Sequence, residues 1–264
     1  MTFSLDPVAF SLGFFIVRWY SLMYIFGFLC VWGLISWRIK RGEITLFSQT
    51  ILLDILLVGF LGGILGGRLG YILFYNPVFY WENPFEIIAL FDHNGIYRGI
   101  FGMSFYGAIL GSAFFFWVYC KKQKLDVWKS LDSIVPAVPI AIAFGRLGNF
   151  LNGELLGRES NIFWSVNFGD GIFRHPSQLY EMFFEGFFLF FLFFFFLRNK
   201  KFPPGVLSLL FLVGYGCMRF FVEFFRQPDI QIGFIFFHWL TMGQLLSLIL
   251  FFLSLLGIIK IIKK

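Results

Sequence analysis

Apolar residues run along this chain in seven long windows, roughly 15–37, 51–75, 100–120, 131–149, 177–197, 204–226 and 238–259, with polar connections between them. Each window supplies about the 20 mostly apolar residues that a helix needs to cross a bilayer. The pattern predicts an all-α integral membrane protein, a bundle of seven transmembrane helices with a small loop region on the outer side. The whole of residues 1–264 reads as a single polytopic membrane domain. The stretch from Met1 to Val17 carries Asp6 and no basic residue ahead of its apolar run, so it does not read as a cleavable signal peptide. The first span is expected to remain.

Composition removes the soluble alternatives. Of 264 residues, 59% are hydrophobic and 14% charged, and 43 are phenylalanine. A soluble domain carries about 25% charged residues, so a soluble enzyme and a disordered chain are both excluded. The net charge of +6 does not imply nucleic acid, because the bases are sorted by connection. All ten lysines fall in three alternate connections and the C-terminus, together with Arg38, Arg41 and Arg198. The positive-inside rule makes that side cytoplasmic, placing the N-terminus outside and the C-terminus inside. Cys30, Cys120 and Cys217 form neither a disulfide framework nor a zinc motif and read as packing residues.

The remaining cations are all arginines: Arg18, Arg68, Arg98, Arg146, Arg158, Arg174, Arg219 and Arg226, each in an outer connection or near the outer end of a window. Guanidinium offers a planar fork matched to phosphate and carboxylate. Arg18 and Arg98 also read as helix-end anchors that snorkel to headgroups. In the second window, glycines recur every four residues from Gly59 to Gly70 and form small faces for helix packing. Arg68 sits among them. The sixth window places Tyr215, Arg219, Glu223 and Arg226 on one helical face, which is either an ion-pair stripe or, with two arginines to one carboxylate, an anion site. The fifth opens His175-Pro176-Ser177-Gln178-Leu179-Tyr180-Glu181, with Glu185 one turn on. The densest segment is Gly145-Arg146-Leu147-Gly148-Asn149-Phe150-Leu151-Asn152-Gly153-Glu154-Leu155-Leu156-Gly157-Arg158. Backbone N–H groups, amides and guanidinium groups together suit a phosphate.

This last segment resembles the signature of bacterial prolipoprotein diacylglyceryl transferases. Four further motifs match in the same order: Arg18 to Tyr24, Gly66 to Tyr71, His175 to Glu181, and Tyr215 through Arg226-Gln227-Pro228-Asp229. The likeness runs from about residue 6 to 250. It implies seven helices with the site toward the outer leaflet of the bacterial cytoplasmic (inner) membrane. It also implies transfer of the diacylglyceryl group of phosphatidylglycerol to the thiol of a lipobox cysteine in a preprolipoprotein signal peptide, giving a thioether and glycerol 1-phosphate. Carried over by position, Arg146 binds phosphatidylglycerol, with Asn149, Glu154 and Gly157 around it, and Tyr20, Arg219 and Glu223 complete the site. Arg68, Asn152, His175, Tyr215 and Arg226 are further candidates for substrate binding. The family often carries Met-Ser-Phe-His-Gly, where this chain reads Met103-Ser104-Phe105-Tyr106-Gly107.

Such a transfer is a substitution at an sp³ carbon by sulfur. The departing phosphate needs positioned guanidinium groups, for which Arg146 and Arg219 are the candidates. The thiol must lose its proton. Tyr106, His175 and His238 are the candidate acceptors, and Tyr106 and Glu223 stand with the arginines in the expected catalytic set. Both partners, lipid and signal peptide, are membrane-embedded, and surrounding membrane lipid is the medium of entry. No metal or other cofactor is expected, since there is no His-Glu-x-x-His and no Asp-rich Mg²⁺ motif. The rival reading is a transporter for anions or small solutes. Polar residues confined to the outer halves argue against a conduit, which needs them at the midplane.

Overall fold

The computed structural model is mostly helical and describes residues 2, 6–12, 15–87, 102–228, 233–236 and 240–263. Arg98, Asp229 and His238 lie outside the described residues. Two short strands, β1 (Val8–Leu12) and β2 (Phe15–Arg18), precede α1 (Trp19–Lys40). Helices α2 (Gln49–Phe74), α3 (Pro77–Glu82), α4 (Phe105–Lys122), α5 (Val127–Ile134) and α6 (Val138–Leu151) follow. A hairpin of β3 (Val166–Asn167) and β4 (Phe173–Arg174) then leads into α7 (Ser177–Glu181). Beyond α7 come α8 (Leu189–Phe191), α9 (Val206–Val222), the pair β5 (Phe234–Phe236) and β6 (Leu240–Thr241), and α10 (Met242–Ile262).

Helix occurs in every one of the seven apolar windows. Five helical stretches are long and apolar enough to cross a membrane: Trp19–Lys40, Gln49–Phe74, Val127–Leu151, Ser177–Leu197 and Met242–Ile262. Helix α9 is apolar but shorter, and α4 ends in the charged pair Lys121-Lys122. The chain is thus a helical, multi-pass membrane protein. The element ends differ from the windows for local reasons. The fourth stretch begins at Val127 and is interrupted by a tight turn at Val135–Ala137, where Pro136 and Pro139 lack the N–H of a regular helix. The fifth is widened by π segments at Met182–Phe188 and Leu192–Leu197.

The chain divides into two compact units. The first comprises Met1–Leu12, Ile16–Trp37 and Leu131–Lys264. Its apolar centre is Val135, Leu189, Phe193, Leu207 and Phe211, all buried. Asp132 caps the start of α9, accepting from the Gly205 N–H at 2.6 Å and from the Ser208 N–H at 2.8 Å. The second unit comprises Gly13–Phe15 and Arg38–Ser130. In it α2 lies against α4 through glycine on both sides. A Cβ on Gly66 would collide with the Gly107 carbonyl and approach the Gly111 Cα to 2.7 Å. The predicted small face is therefore a packing face. In a bilayer, where lipid competes for apolar surface, such close approach is a main source of helix association. Polar bonds add to it: Tyr119 donates to Asp54 at 2.7 Å, and Ser112 to the Gly59 carbonyl at 2.8 Å.

Candidate functional site

The site is built on one face of α7 and its π extension. Ser177, Gln178, Glu181 and Glu185 all point inward and are buried. Two carboxylates four residues apart in an apolar helix demand cations, because an unpaired charge at membrane depth is expensive. Arginines from two other elements meet them. Helix α6 packs on this segment where Gly186 lies against Ala143, one turn before Arg146. The Arg146 Nε then reaches a Glu181 oxygen at 3.0 Å, and its Nη2 reaches Glu185 at 3.2 Å. From α9, the Arg219 Nη1 lies 3.1 Å from Glu181 and 3.8 Å from Glu185, while its Nη2 contacts Glu223 at 2.6 Å. The Arg226 Nη1 completes the group, 3.3 Å from Glu181.

Among the described residues, three guanidinium groups are thus balanced by three carboxylates, with Glu181 shared by all three arginines. The sequence stripe on α9 alone suggested surplus positive charge; Glu181 and Glu185, contributed by another helix, remove it. The layering is asymmetric. Side chains of Arg146, Arg219 and Arg226 are 17%, 14% and 13% exposed, against 1%, 0% and 6% for Glu181, Glu185 and Glu223. The carboxylates hold the guanidinium groups from the buried side. Among the described residues, the Arg146 Nη1, the Arg219 Nε and the Arg226 Nε and Nη2 bond to no protein group.

The α6 exit forms a second, adjoining clamp. Asn149 and Asn152 each donate a side-chain N–H to one oxygen of Glu154, at 3.2 and 3.1 Å. The turn that permits this is tight, with Gly153 at φ 66° and Leu155 at φ 57°, a left-handed conformation that a non-glycine residue rarely adopts. Helix α7 grips the same turn: the Gln178 Nε2 donates to the Glu154 carbonyl at 2.5 Å and Ser177 to that of Leu155 at 3.2 Å. Gln178 and Glu181 are three apart, so one helical face ties the amide clamp to the arginine cluster. Tyr20 at the start of α1 packs on α6, where a Cβ on Gly148 would lie 3.1 Å from its ring, and its hydroxyl shares a 2.8 Å bond with that of Tyr24.

A family model for prolipoprotein diacylglyceryl transferase matches residues 7–260. The chain belongs to this family. It is 43% identical over 256 residues to the phosphatidylglycerol–prolipoprotein diacylglyceryl transferase of Ehrlichia ruminantium (strain Gardel), covering 95% of each chain. Similarity to the enzyme of the same name from Rickettsia bellii (strain OSU 85-389) is 44% over 268 residues, covering 100% of this chain and 97% of that one. For the Nitratidesulfovibrio vulgaris (strain DP4) enzyme it is 43% over 253 residues, with 95% and 92% covered.

Other residues singled out from the family signature have defined places. Gly157 sits in a seam between three segments: Arg158 N–H donates to the Phe225 carbonyl and His175 N–H to the Arg158 carbonyl, both at 2.9 Å. A Cβ at Gly157 would collide with the His175 carbonyl and come within 3.0 Å of that of Phe225. Gly157→Ala is therefore expected to cost about 1–3 kcal/mol by overpacking and to lower transfer, read as a drop in the melting temperature of the detergent-purified protein; an unchanged melt would contradict the seam. His175 packs edge-on against Tyr180 and Phe225 and its Nδ1 lies 3.2 Å from the Tyr180 hydroxyl. Burial holds its imidazole below the ordinary value and so favours the neutral form.

Tyr215 joins the apolar centre of the first unit beside Phe211. Arg226 reaches Glu181 only after the chain has left the helix, for α9 ends at Val222 and Arg226 bridges to Gly157. The predicted single face of the sixth window is therefore broken before its last member. Arg68 and Tyr106 belong to the second unit. Arg68 donates to the carbonyls of Glu86 at 2.6 Å and Ile87 at 3.0 Å and lies over the Tyr80 ring. Tyr106, near the start of α4, is 52% exposed. Glu181, Glu185 and Gln178 were not expected as site residues; their signal was the run of polar side chains carried into an otherwise apolar helix.

Proposed function

We propose that the Arg146–Arg219–Arg226 cluster binds the phosphate of phosphatidylglycerol, and that here the chain transfers the diacylglyceryl group to the lipobox cysteine of a preprolipoprotein. Family membership supports the transferase reading; the anion-transport alternative gains nothing from it. The observation that carries the assignment is the layering of three arginines over buried carboxylates, with guanidinium N–H groups left over on the exposed side.

The chemistry follows from that layering. The thiolate sulfur attacks the glyceryl carbon, the C–S bond forms, and the C–O bond to phosphate breaks. A phosphodiester carries one negative charge, and the departing glycerol 1-phosphate gains a second. A charge-balanced cluster holds the diester mainly through directed N–H bonds. Its donors count most as the second charge develops, which is where binding accelerates a reaction. The Asn149–Glu154–Asn152 clamp lines the approach, Tyr20 and Gly157 shape it, and Glu223 and Tyr215 support Arg219. The thiol proton leaves as the sulfur attacks, and the His175 imidazole, in the same unit as the cluster, is the candidate acceptor.

The proposal extends to architecture: one polytopic domain of seven spans, N-terminus outside and C-terminus cytoplasmic, in the bacterial inner membrane, with the cluster toward the outer side. Purified protein given phosphatidylglycerol and a lipobox peptide should release glycerol 1-phosphate and add a diacylglyceryl mass to the peptide. Peptide dependence of that release is decisive, and phosphate release without peptide would point to a hydrolase. In a background lacking Cys30, Cys120 and Cys217, single cysteines at Ser160 and Asn199 should label with an impermeant reagent from opposite faces. Labelling from one face would overturn the orientation.

A further inference from the structure

We propose that Thr241, at the mouth of α10, is a positioning residue for Glu223 and through it for Arg219. The inference rests on the reading that Arg219 engages the lipid phosphate, and deepens it.

Glu223 closes α9 as its C-cap, its N–H bonded to the Arg219 carbonyl at 3.1 Å, and its side chain is buried. Its two oxygens have different partners. One lies 2.6 Å from the Arg219 Nη2; the other accepts the Thr241 hydroxyl at 2.9 Å. Thr241 is buried too, and its direction is fixed by a capping box. The Gln244 N–H donates to the threonine oxygen at 3.2 Å, while the Gln244 Oε1 accepts the Thr241 N–H at 3.0 Å. A hydroxyl has one proton to give. With its oxygen already accepting from Gln244, that proton is directed at Glu223. Gly243 leaves room for the carboxylate, since a Cβ there would lie 2.5 Å from the same oxygen. The carboxylate also faces the positive end of a 21-residue helix.

The result is a chain of fixed contacts from α10 to the cluster. Arg219 is held at two points, Nη1 on Glu181 and Nη2 on Glu223. Those two points set the plane of the guanidinium and so the aim of its remaining N–H. A helix cap alone requires Thr241 to face its own backbone. It does not require the hydroxyl to meet a carboxylate from another helix, or that carboxylate to pass its second oxygen to an arginine.

The test compares variants in detergent-purified protein, with rates normalised to the folded fraction. Thr241→Val keeps the shape and removes the hydroxyl; kcat should fall at least tenfold while KM for phosphatidylglycerol shifts less than threefold. Thr241→Ser, which restores the donor, should return to within threefold of the parent. Gln244→Met weakens the cap but spares the hydroxyl–carboxylate bond and should also stay within threefold. Equal losses in Thr241→Val and Gln244→Met would reduce Thr241 to a helix cap and overturn the proposal. If Thr241→Val does not fold, Thr241→Asn and Thr241→Asp decide: both cap, but only Asn donates, so Asn should be at least tenfold faster, and equal rates would overturn it. Arg219→Lys separates the two readings. Full activity there removes the phosphate site itself, whereas an inactive Arg219→Lys beside an active Thr241→Val removes only this inference.

Discussion

Arg146→Lys is expected to leave a folded protein whose transfer rate is lower by about 10²–10³-fold, the usual effect of losing one well-placed donor to a developing oxyanion. The Arg146 guanidinium spans two buried carboxylates, Nε to Glu181 and Nη2 to Glu185, and its Nη1 bonds to no protein group among the described residues. A lysine ammonium supplies the charge those carboxylates require. It is a point charge and cannot hold both while also facing a phosphate. Arg146→Ala is a harsher change. Removing one partner of a buried pair costs about 3–5 kcal/mol, so the alanine variant should lose stability as well as activity. The ratio of the two variants is informative: lysine should melt near the parent and still be slow. A lysine variant with parental kcat would show that Arg146 only neutralises Glu181 and Glu185, and the phosphate would have to sit elsewhere.

That distinction was not legible in the sequence, and the reason is physical. Bilayer thickness imposes a length on every span, so the apolar windows appear in any reading of the chain, and every window holds helix. Helix ends are less constrained. The Phe220-Phe221 pair continues as Phe224-Phe225 past the end of α9 at Val222, so hydropathy gave no sign of the stop. The amphipathic entry at Val127 was hidden by Lys129 and Asp132, and the π segments by a run of phenylalanine that reads the same in any helix. Arg146, Arg219 and Glu223 were recognisable because arginine and glutamate stand out in an apolar span. Their pairing was not, because the partners lie 39 residues apart for Arg146 and Glu185 and 45 for Glu181 and Arg226. Charge counted along one helix leaves Arg219 and Arg226 against Glu223 alone. Charge counted in space adds Glu181, Glu185 and Arg146 and comes out even. Gly157 was recognisable as part of a motif, but its reason, the His175 carbonyl in van der Waals contact, belongs to the folded loop.

Because Glu181 is shared by all three arginines, Glu181→Gln should have the most informative kinetic signature of any site variant. The amide keeps the size and one acceptor, and it removes the charge that Arg146, Arg219 and Arg226 share at 3.0, 3.1 and 3.3 Å. The cluster then carries three cations against two carboxylates. Two effects of opposite sign follow. Surplus positive charge favours any anion, so KM for phosphatidylglycerol should fall or hold. The guanidinium groups, no longer drawn to a common point, repel one another and lose the geometry that meets the departing phosphate, so kcat should fall by about 10²-fold or more, equivalent to roughly 2.7 kcal/mol of barrier. Loss of a shared buried carboxylate should also destabilise the fold by about 3–5 kcal/mol, visible as a lower melting temperature that added phosphatidylglycerol partly restores. Sign is what makes the experiment decisive. If Glu181 served only to keep the helices together, stability would fall while kcat per folded molecule stayed at the parental value. If it bound substrate directly, KM would rise instead. Only a carboxylate that aims arginines at a developing phosphate dianion should lower kcat without weakening the lipid's hold.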